Sequence, residues 1–254
     1  MIRSETRDHV RSISLCRGEK RNALQPAMLD SLLHELRVAA SDPAARVVLL
    51  LGEGEVFCSG FDMKLVHDDA AALPALLASL SACVRVMRRA PQPVVIAAHG
   101  GAIAGGCALL SGGDMVVTDE HAKLGYPVLR LGISPAVNAA GLIAHVGAGI
   151  ARERMLDTSA ITGRDALRVG LAHRCVATPA DVLPEALRIA AELAAKPPHA
   201  LAATKALLAS IDRVDADEPF AHGLAVSMSL VGSDQQRERV AALWATPTPT
   251  KPAP

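Results

Sequence analysis

Two short apolar runs constrain this chain more than any other feature: Val47-Val48-Leu49-Leu50-Leu51 and Val94-Val95-Ile96-Ala97-Ala98. A strand with one wet face alternates apolar and polar side chains. A strand without a polar position needs cover on both faces. Both runs therefore read as strands of a parallel sheet with helices above and below it. The segments between them supply helices. From Pro26 to about Ala40, Leu29, Leu32, Leu33 and Leu36 recur at helical spacing, and Pro26 suits a first turn. Residues 73–88 repeat the pattern with Leu76, Leu77, Leu80, Val84 and Met87, until Pro91 and Pro93 stop it. Residues 10–15 and 115–118 read as two more strands. From about residue 135 the strand signal fades, and 136–148, 151–158, 164–170, 181–195, 199–211 and 217–243 read as helices.

Composition excludes several functions. The 254 residues suit one to two domains. Lys+Arg and Asp+Glu both number 26, which leaves no electrostatic footprint for nucleic acid. Three Phe, one Tyr and one Trp offer no base-stacking platform. The five Cys form no C-x-x-C pair, so neither a disulfide framework nor a thiolate metal site is expected, and the expected setting is cytoplasmic. The most apolar windows, 94–117 and 131–150, are broken by Gly, Pro, His or Asn and do not read as membrane spans. The expected organisation is a core over 1–195, a helical region over 196–245 and a disordered Pro-rich tail over 246–254.

The chemistry is expected at two glycine turns. Phe57-Cys58-Ser59-Gly60-Phe61-Asp62 follows the first buried strand, and His99-Gly100-Gly101-Ala102-Ile103-Ala104-Gly105-Gly106-Cys107 follows the second. Ligands of open α/β sheets bind at the carboxyl ends of strands. Glycines there let backbone approach a ligand and leave N–H groups free. Two such amides aimed at one oxygen would form an oxyanion hole. No G-x-G-x-x-G follows a first strand and no G-K-[ST] is present, so neither a dinucleotide fingerprint nor a P-loop applies.

Read together, these turns resemble the crotonase superfamily of enoyl-CoA hydratases and isomerases, and the likeness runs to about residue 244. Leu15-Cys16-Arg17 with Arg21-Asn22-Ala23-Leu24 is similar to the family's N-terminal CoA-binding stretch. Arg46 to Asp62 is similar to its strand and F-C-x-G-x-D turn, and Pro93 to Gly106 to its second oxyanion segment. Gly132-Ile133-Ser134-Pro135 matches its G-x-x-P turn. Gly163 to Leu167 with Gly170-Leu171-Ala172 matches the helix and turn that follow. The resemblance implies an α/β, crotonase-like (ClpP/crotonase) spiral of ββα units with a C-terminal helical trimerisation region. It implies a homotrimer or homohexamer and an acyl-CoA partner, with coenzyme A carried by the substrate and no separate cofactor. It places the thioester oxygen between the backbone amides of Phe61 and Gly105. It places CoA contacts at Arg21, Ala23, Leu24, Ser59, Gly60, Asp62, Met63 and Lys64, with Lys64 meeting a phosphate as a point charge.

One departure decides the expected chemistry. The family's hydratases use two glutamates, which fall on Ala108 and Val128 here; both would line an apolar acyl pocket instead. No Asp or Glu occurs from Ala70 to Gly113 or from His121 to Arg152, so no shift of register restores either acid. Standard hydration and single-Glu isomerisation are therefore not expected. Tyr126 and His99 are the candidate proton-transfer groups, though each also reads as a structural residue. His67 and Asp68 read as a solvated loop, Asp114 as structural, and Asn138 either orients a ligand or sits in a helical first turn. The expectation is a lyase or isomerase that stabilises an enolate or oxyanion, decarboxylation among the options. The alternative is a non-catalytic acyl-CoA-binding protein. A serine-peptidase relative, less expected, is set aside, since Ala104 and Cys107 stand where a nucleophilic Ser is needed.

Overall fold

The computed structural model describes residues 1–244, so the tail expected at 246–254 lies outside the described residues. In chain order the elements are β1 (Ile2–Arg7), β2 (Val10–Leu15), α1 (Pro26–Ser41), β3 (Val47–Gly52), α2 (Met63–Asp68), α3 (Ala72–Arg89) and β4 (Val94–Ala98). The middle of the chain gives β5 (Gly101–Ile103), α4 (Gly105–Leu110), β6 (Met115–Asp119), β7 (Lys123–Gly125), α5 (Ala139–Leu156), β8 (Ile161–Thr162) and α6 (Gly163–Arg168). The remainder gives β9 (Arg174–Val176), α7 (Pro179–Ala194), α8 (Pro198–Ile211), α9 (Glu218–Met228) and α10 (Asp234–Ala241). Six strands pair in the order β1-β2-β3-β4-β6-β9, parallel throughout except for the β1–β2 hairpin. A second sheet, β5-β7-β8, stands beside it.

The two apolar runs are covered on both sides. Val48, Leu50, Ile96 and Ala98 point into a core with Leu29, Leu32 and Leu36 of α1 and Leu76, Leu80 and Val84 of α3. Their alternates Val47, Leu49, Val95 and Ala97 meet Val182, Ala186, Ile189 and Ala190 of α7 on the opposite face. Each of the Val, Leu and Ile side chains contributes about 1.5–3 kcal/mol by leaving water, which is why neither run carries a polar residue.

Several expectations need correction. Residues 217–243 do not form one helix: Gly232, at φ 72°, ends the segment after α9, and Ser233 caps α10 by accepting from the Gln236 N–H at 3.3 Å. The break expected between 148 and 151 falls at Gly147 (φ 77°, ψ 160°) inside α5, after a 3-10 turn over Pro135–Asn138. Strands continue past residue 135 as β8 and β9, whose two and three residues are too short to carry a period. The boundary drawn at 195/196 lies in the connection between α7 and α8. Among the described residues no helix is long and apolar enough to cross a membrane.

Candidate active site

The first glycine turn is laced on two edges. Toward β5, the Phe57 N–H donates to the His99 carbonyl at 2.8 Å, the Cys58 N–H to Gly101 at 3.2 Å, and the Ile103 N–H to Cys58 at 3.0 Å. On the other edge, the Ser59 N–H donates to Arg21 at 2.9 Å, Leu24 to Gly60 at 2.7 Å and Asp62 to Leu24 at 2.9 Å. The last two bonds define a parallel bridge between Leu24 and Phe61. In such a bridge the flanking groups do the bonding, so the N–H of Phe61 faces away from Leu24. Among the described residues it has no backbone acceptor.

The second turn ends at the start of α4, where the first amides of a helix have no intrahelical partner. The Gly105 N–H likewise has no backbone acceptor among the described residues. Ala104 caps this helix at φ 51°, ψ −114°, a conformation costly for a residue with a β-carbon, and its N–H is held by the Gly125 carbonyl at 2.8 Å. Gly60 (φ 94°) makes the approach of the two turns possible. A β-carbon on it would lie 2.9 Å from the Ile103 carbonyl oxygen and 3.5 Å from the Gly105 nitrogen.

Both amide-bearing residues line one small cavity with Leu77, Leu80, Ala104, Ala108, Tyr126, Val128, Ile133, Ser134, Pro135, Val137 and Asn138. Its volume is about 20 Å³, the space of about one water. Ala108 and Val128 thus share a wall, and no carboxylate lines it. The polar side chains present are Tyr126, Ser134 and Asn138. Tyr126, 2% exposed, donates its hydroxyl to the Cys107 carbonyl at 3.1 Å and accepts from Asn138 Nδ2 at 2.9 Å. The Asn138 Oδ1 accepts from the Ser111 hydroxyl. Burial raises the Tyr126 phenol well above its ordinary range. Burial also pushes the Cys58 and Cys107 thiols up to about 12, which leaves them without nucleophilic thiolate at neutral pH.

The remaining candidates fall in different places. His99 is not at this cavity. Its Nε2 pairs with the Gly54 carbonyl at 2.9 Å, and it lines a separate hollow with Glu55, Ala97, Pro179 and Leu183. The reason is strand direction: His99 sits at the tip of β4, before the chain turns into β5 and travels to α4. Arg21 is exposed at φ 51°, beside Ala23, whose carbonyl accepts from Arg17 Nη1 at 2.8 Å. Leu24 is buried against Phe61. Ser59, Gly60, Asp62 and Met63 follow on the same turn. Asp62 caps α2 through the Leu65 N–H, pairs with Arg17 at 2.9 Å and accepts from Gln25 at 3.1 Å. Partial burial alone would raise its carboxyl, but these hydrogen bonds outweigh burial and hold it below the usual carboxylate range. Lys64 is exposed and paired with Asp68, which His67 also contacts.

Sequence reasoning placed Arg17 and Asn22 in the CoA-binding stretch but gave neither a role of its own. Asn22 is fully buried at φ 53°; its Oδ1 accepts from the Arg17 N–H, and its Nδ2 donates to the carbonyls of Glu53, Val56 and Phe57 at 2.8–3.0 Å. It thereby fixes the first glycine turn to the 17–24 loop. The one local signal is that Asn tolerates the left-handed region better than most residues; its three acceptors lie too far along the chain to be read.

The family model described as enoyl-CoA hydratase/isomerase matches residues 5–239. An enoyl-CoA hydratase homologue of Thermus thermophilus is 35% identical over 217 residues, covering 84% of this chain and 85% of that protein. The 2,3-dehydroadipyl-CoA hydratase of Escherichia coli is 31% identical over 245 residues, covering 93% and 92%. Among solved structures, an enoyl-CoA hydratase/isomerase from Mycobacterium paratuberculosis superposes with a TM-score of 0.85 at 25% identity, over 95% of this chain and 97% of that one. The chain belongs to the enoyl-CoA hydratase/isomerase family, and its fold is the crotonase fold.

Proposed function

We propose that this protein binds an acyl-CoA thioester with the carbonyl oxygen between the amides of Phe61 and Gly105, and turns it over through an enolate formed without a carboxylate base. The observation that carries this is the pairing of two unspent backbone amides with a cavity lined by no acid. Fixed N–H dipoles gain most where charge develops, so they favour an enolate over the ground-state thioester. Loss of CO2 fits such a site. The bond from the α-carbon to its carboxylate breaks, the electron pair moves onto the thioester oxygen, and a proton from water returns to the α-carbon. Arg21, Ala23, Leu24, Ser59, Gly60, Met63 and Lys64 would hold the CoA portion, with Asp62 fixing their turn. The relatives named above are described as hydratases or as a hydratase/isomerase; a hydratase working through two carboxylates finds none at this cavity.

One observation favours a second reading, a non-catalytic acyl-CoA binder. The Tyr126 proton is already donated to Cys107, so the cavity holds no free acid or base. Turnover assays on malonyl-, β-keto- and enoyl-CoA esters, beside calorimetry with the same esters, separate the two. Product from a carboxylated ester supports the enzyme. Micromolar binding without product supports the binder, and absence of binding defeats both. We also propose self-association into a trimer or hexamer. It is supported by the exposed Leu207 (61%), Leu208 (53%) and Ile211 (67%) on α8; light scattering that reports a monomer at micromolar concentration would remove it.

A further inference from the structure

The cavity wall divides into a fixed part and a single adjustable ring. Leu77 and Leu80 are 1% and 2% exposed, and Tyr126 is tied on both sides of its hydroxyl. Ile133 and Val137 are nearly as deep, at 4% and 6%. These are close-packed core positions, where added volume forces strained side chains and backbone shifts. Phe61 is different. Like Ala104, Val128 and Ser134 it is only half-buried, and of these four it has the largest side chain. The ring lies across the face of Gly105, with Cε1 2.9 Å and Cδ1 3.1 Å from where a β-carbon on Gly105 would stand; Leu24 Cδ1 backs the same point at 3.2 Å. The same residue therefore offers one of the amides and, through its ring, the accessible wall beside the other.

We propose that Phe61 is the specificity-determining side chain of this site, and that with the Leu77, Leu80 and Tyr126 floor it restricts the acyl group to a short chain. This rests on the acyl-CoA reading above. A free volume of about 20 Å³ holds about one water, so few methylenes fit before the chain meets Leu77 and Leu80. In an open apolar channel each further buried methylene strengthens binding about fourfold. Four of them, the difference between butyryl and octanoyl, would raise affinity more than about a hundredfold. A cavity this small removes that gain.

Calorimetry with acetyl-, butyryl-, octanoyl- and palmitoyl-CoA tests this on the wild-type chain and on Phe61→Ala, with Phe61→Leu as a milder variant and circular dichroism to establish folding. The wild type is expected to bind octanoyl- and palmitoyl-CoA no more tightly than butyryl-CoA. Phe61→Ala is expected to shift the octanoyl-to-butyryl affinity ratio by at least tenfold toward octanoyl, with Phe61→Leu between. A wild type whose affinity climbs steadily from butyryl to octanoyl overturns the inference and leaves the acyl-CoA reading standing. So does a pair of folded variants with an unchanged ratio. Absence of binding for every ester overturns both.

Discussion

At the scale of single residues, the two glycines that open α4 differ in what they would strike. A β-carbon on Gly105 meets ring atoms of Phe61, the far end of a side chain that can turn. A β-carbon on Gly106 meets the Cys58 carbonyl oxygen at 2.4 Å, which is backbone held in a bridge. Gly106→Ala is therefore expected to destabilise by more than about 2–3 kcal/mol, and Gly105→Ala by about 1 kcal/mol while weakening acyl-CoA binding. Urea midpoints give the order, and equal midpoints would refute it. Tyr126 sets a second test. The short helix α4 leaves the Cys107 carbonyl without its usual partner, because the Ser111 N–H bonds Ala108 instead; the phenol supplies the missing donor. Tyr126→Phe strands that carbonyl and Asn138 Nδ2, at about 1–3 kcal/mol. If Tyr126 is a brace, turnover in the folded variant stays within about tenfold of wild type; a collapse beyond a hundredfold would make it the proton donor. Residues of this kind divide by how far their partners lie. The glycine turns, Ala108 and Val128 announce themselves in the sequence because each is a local motif or a substitution within one. Tyr126 was legible both as a candidate and as a structural residue, but its partners were not, because Cys107 and Asn138 come near it only when α4 and the 3-10 turn pack together.

At the scale of elements, α8 owes its place to one lysine. Lys205 is buried and donates from Nζ to the carbonyls of Met87 and Gln92, both at 2.8 Å, and to Asp114 Oδ2 at 2.6 Å. Asp114 in turn accepts from the Val94 N–H at 2.7 Å. One ammonium thus joins the end of α3, the start of β4 and the start of β6 to a helix whose apolar side chains are largely exposed. Lys205→Met keeps the stem and removes the charge, leaving the Met87 and Gln92 carbonyls without this donor and the Asp114 carboxylate without its cation. We expect a loss of about 3–5 kcal/mol and faster amide exchange in α8 than in α1. Exchange that quickens uniformly over the chain would deny this local role. The structural role expected of Asp114 is the one found, but Lys205 carried no sequence signal, as one cation in an Ala-rich helix. Helices and strands follow the same logic. α1, α3 and α7 were legible because each has a full apolar stripe facing the sheet, and β3 and β4 because both faces are buried. β1 was not: its pattern is mostly exposed, and only pairing with β2 makes it a strand. β5 and β7 are three residues each, and β8 two, below the length at which any period shows.

At the scale of the whole molecule, α3, α5 and the larger sheet meet around a partly buried histidine pair that ties stability to pH. Arg88 Nη2 approaches His145 Nδ1 at 3.0 Å, so Nδ1 accepts, and His145 Nε2 then carries the proton toward the Leu171 carbonyl at 3.2 Å. His173 lies edge-on to His145 at 5.0 Å and accepts from the Val116 N–H through Nδ1 at 3.0 Å. Each ring is neutral in this arrangement, and a proton on either would face Arg88, with Lys205 and Asp114 nearby. Burial, then Arg88, then His173 push the His145 pKa down from 6.5 to about 3; burial, Arg88 and Arg174 lower His173 as well. The sign follows from the proton count. Between about pH 6.5 and pH 3 the unfolded chain holds a proton on His145 that the folded chain refuses, so stability rises with pH across that window and falls as it is acidified. The slope approaches about 1.4 kcal/mol per pH unit for one such group. Carboxylates held low by hydrogen bonds and ion pairs, such as Asp62, Asp165 and Asp217, lose their contribution only further down, from the ordinary Asp range downward. From about pH 6.5 to about pH 4.5 the histidines therefore dominate, and His145 alone accounts for about 2–3 kcal/mol. Urea unfolding over this range should show the wild type weakening, and His145→Gln, which removes the titration but can still donate to Leu171, should weaken less. Parallel pH profiles for the two proteins would show that the pair is not the sensor and that the acid sensitivity of this fold lies elsewhere.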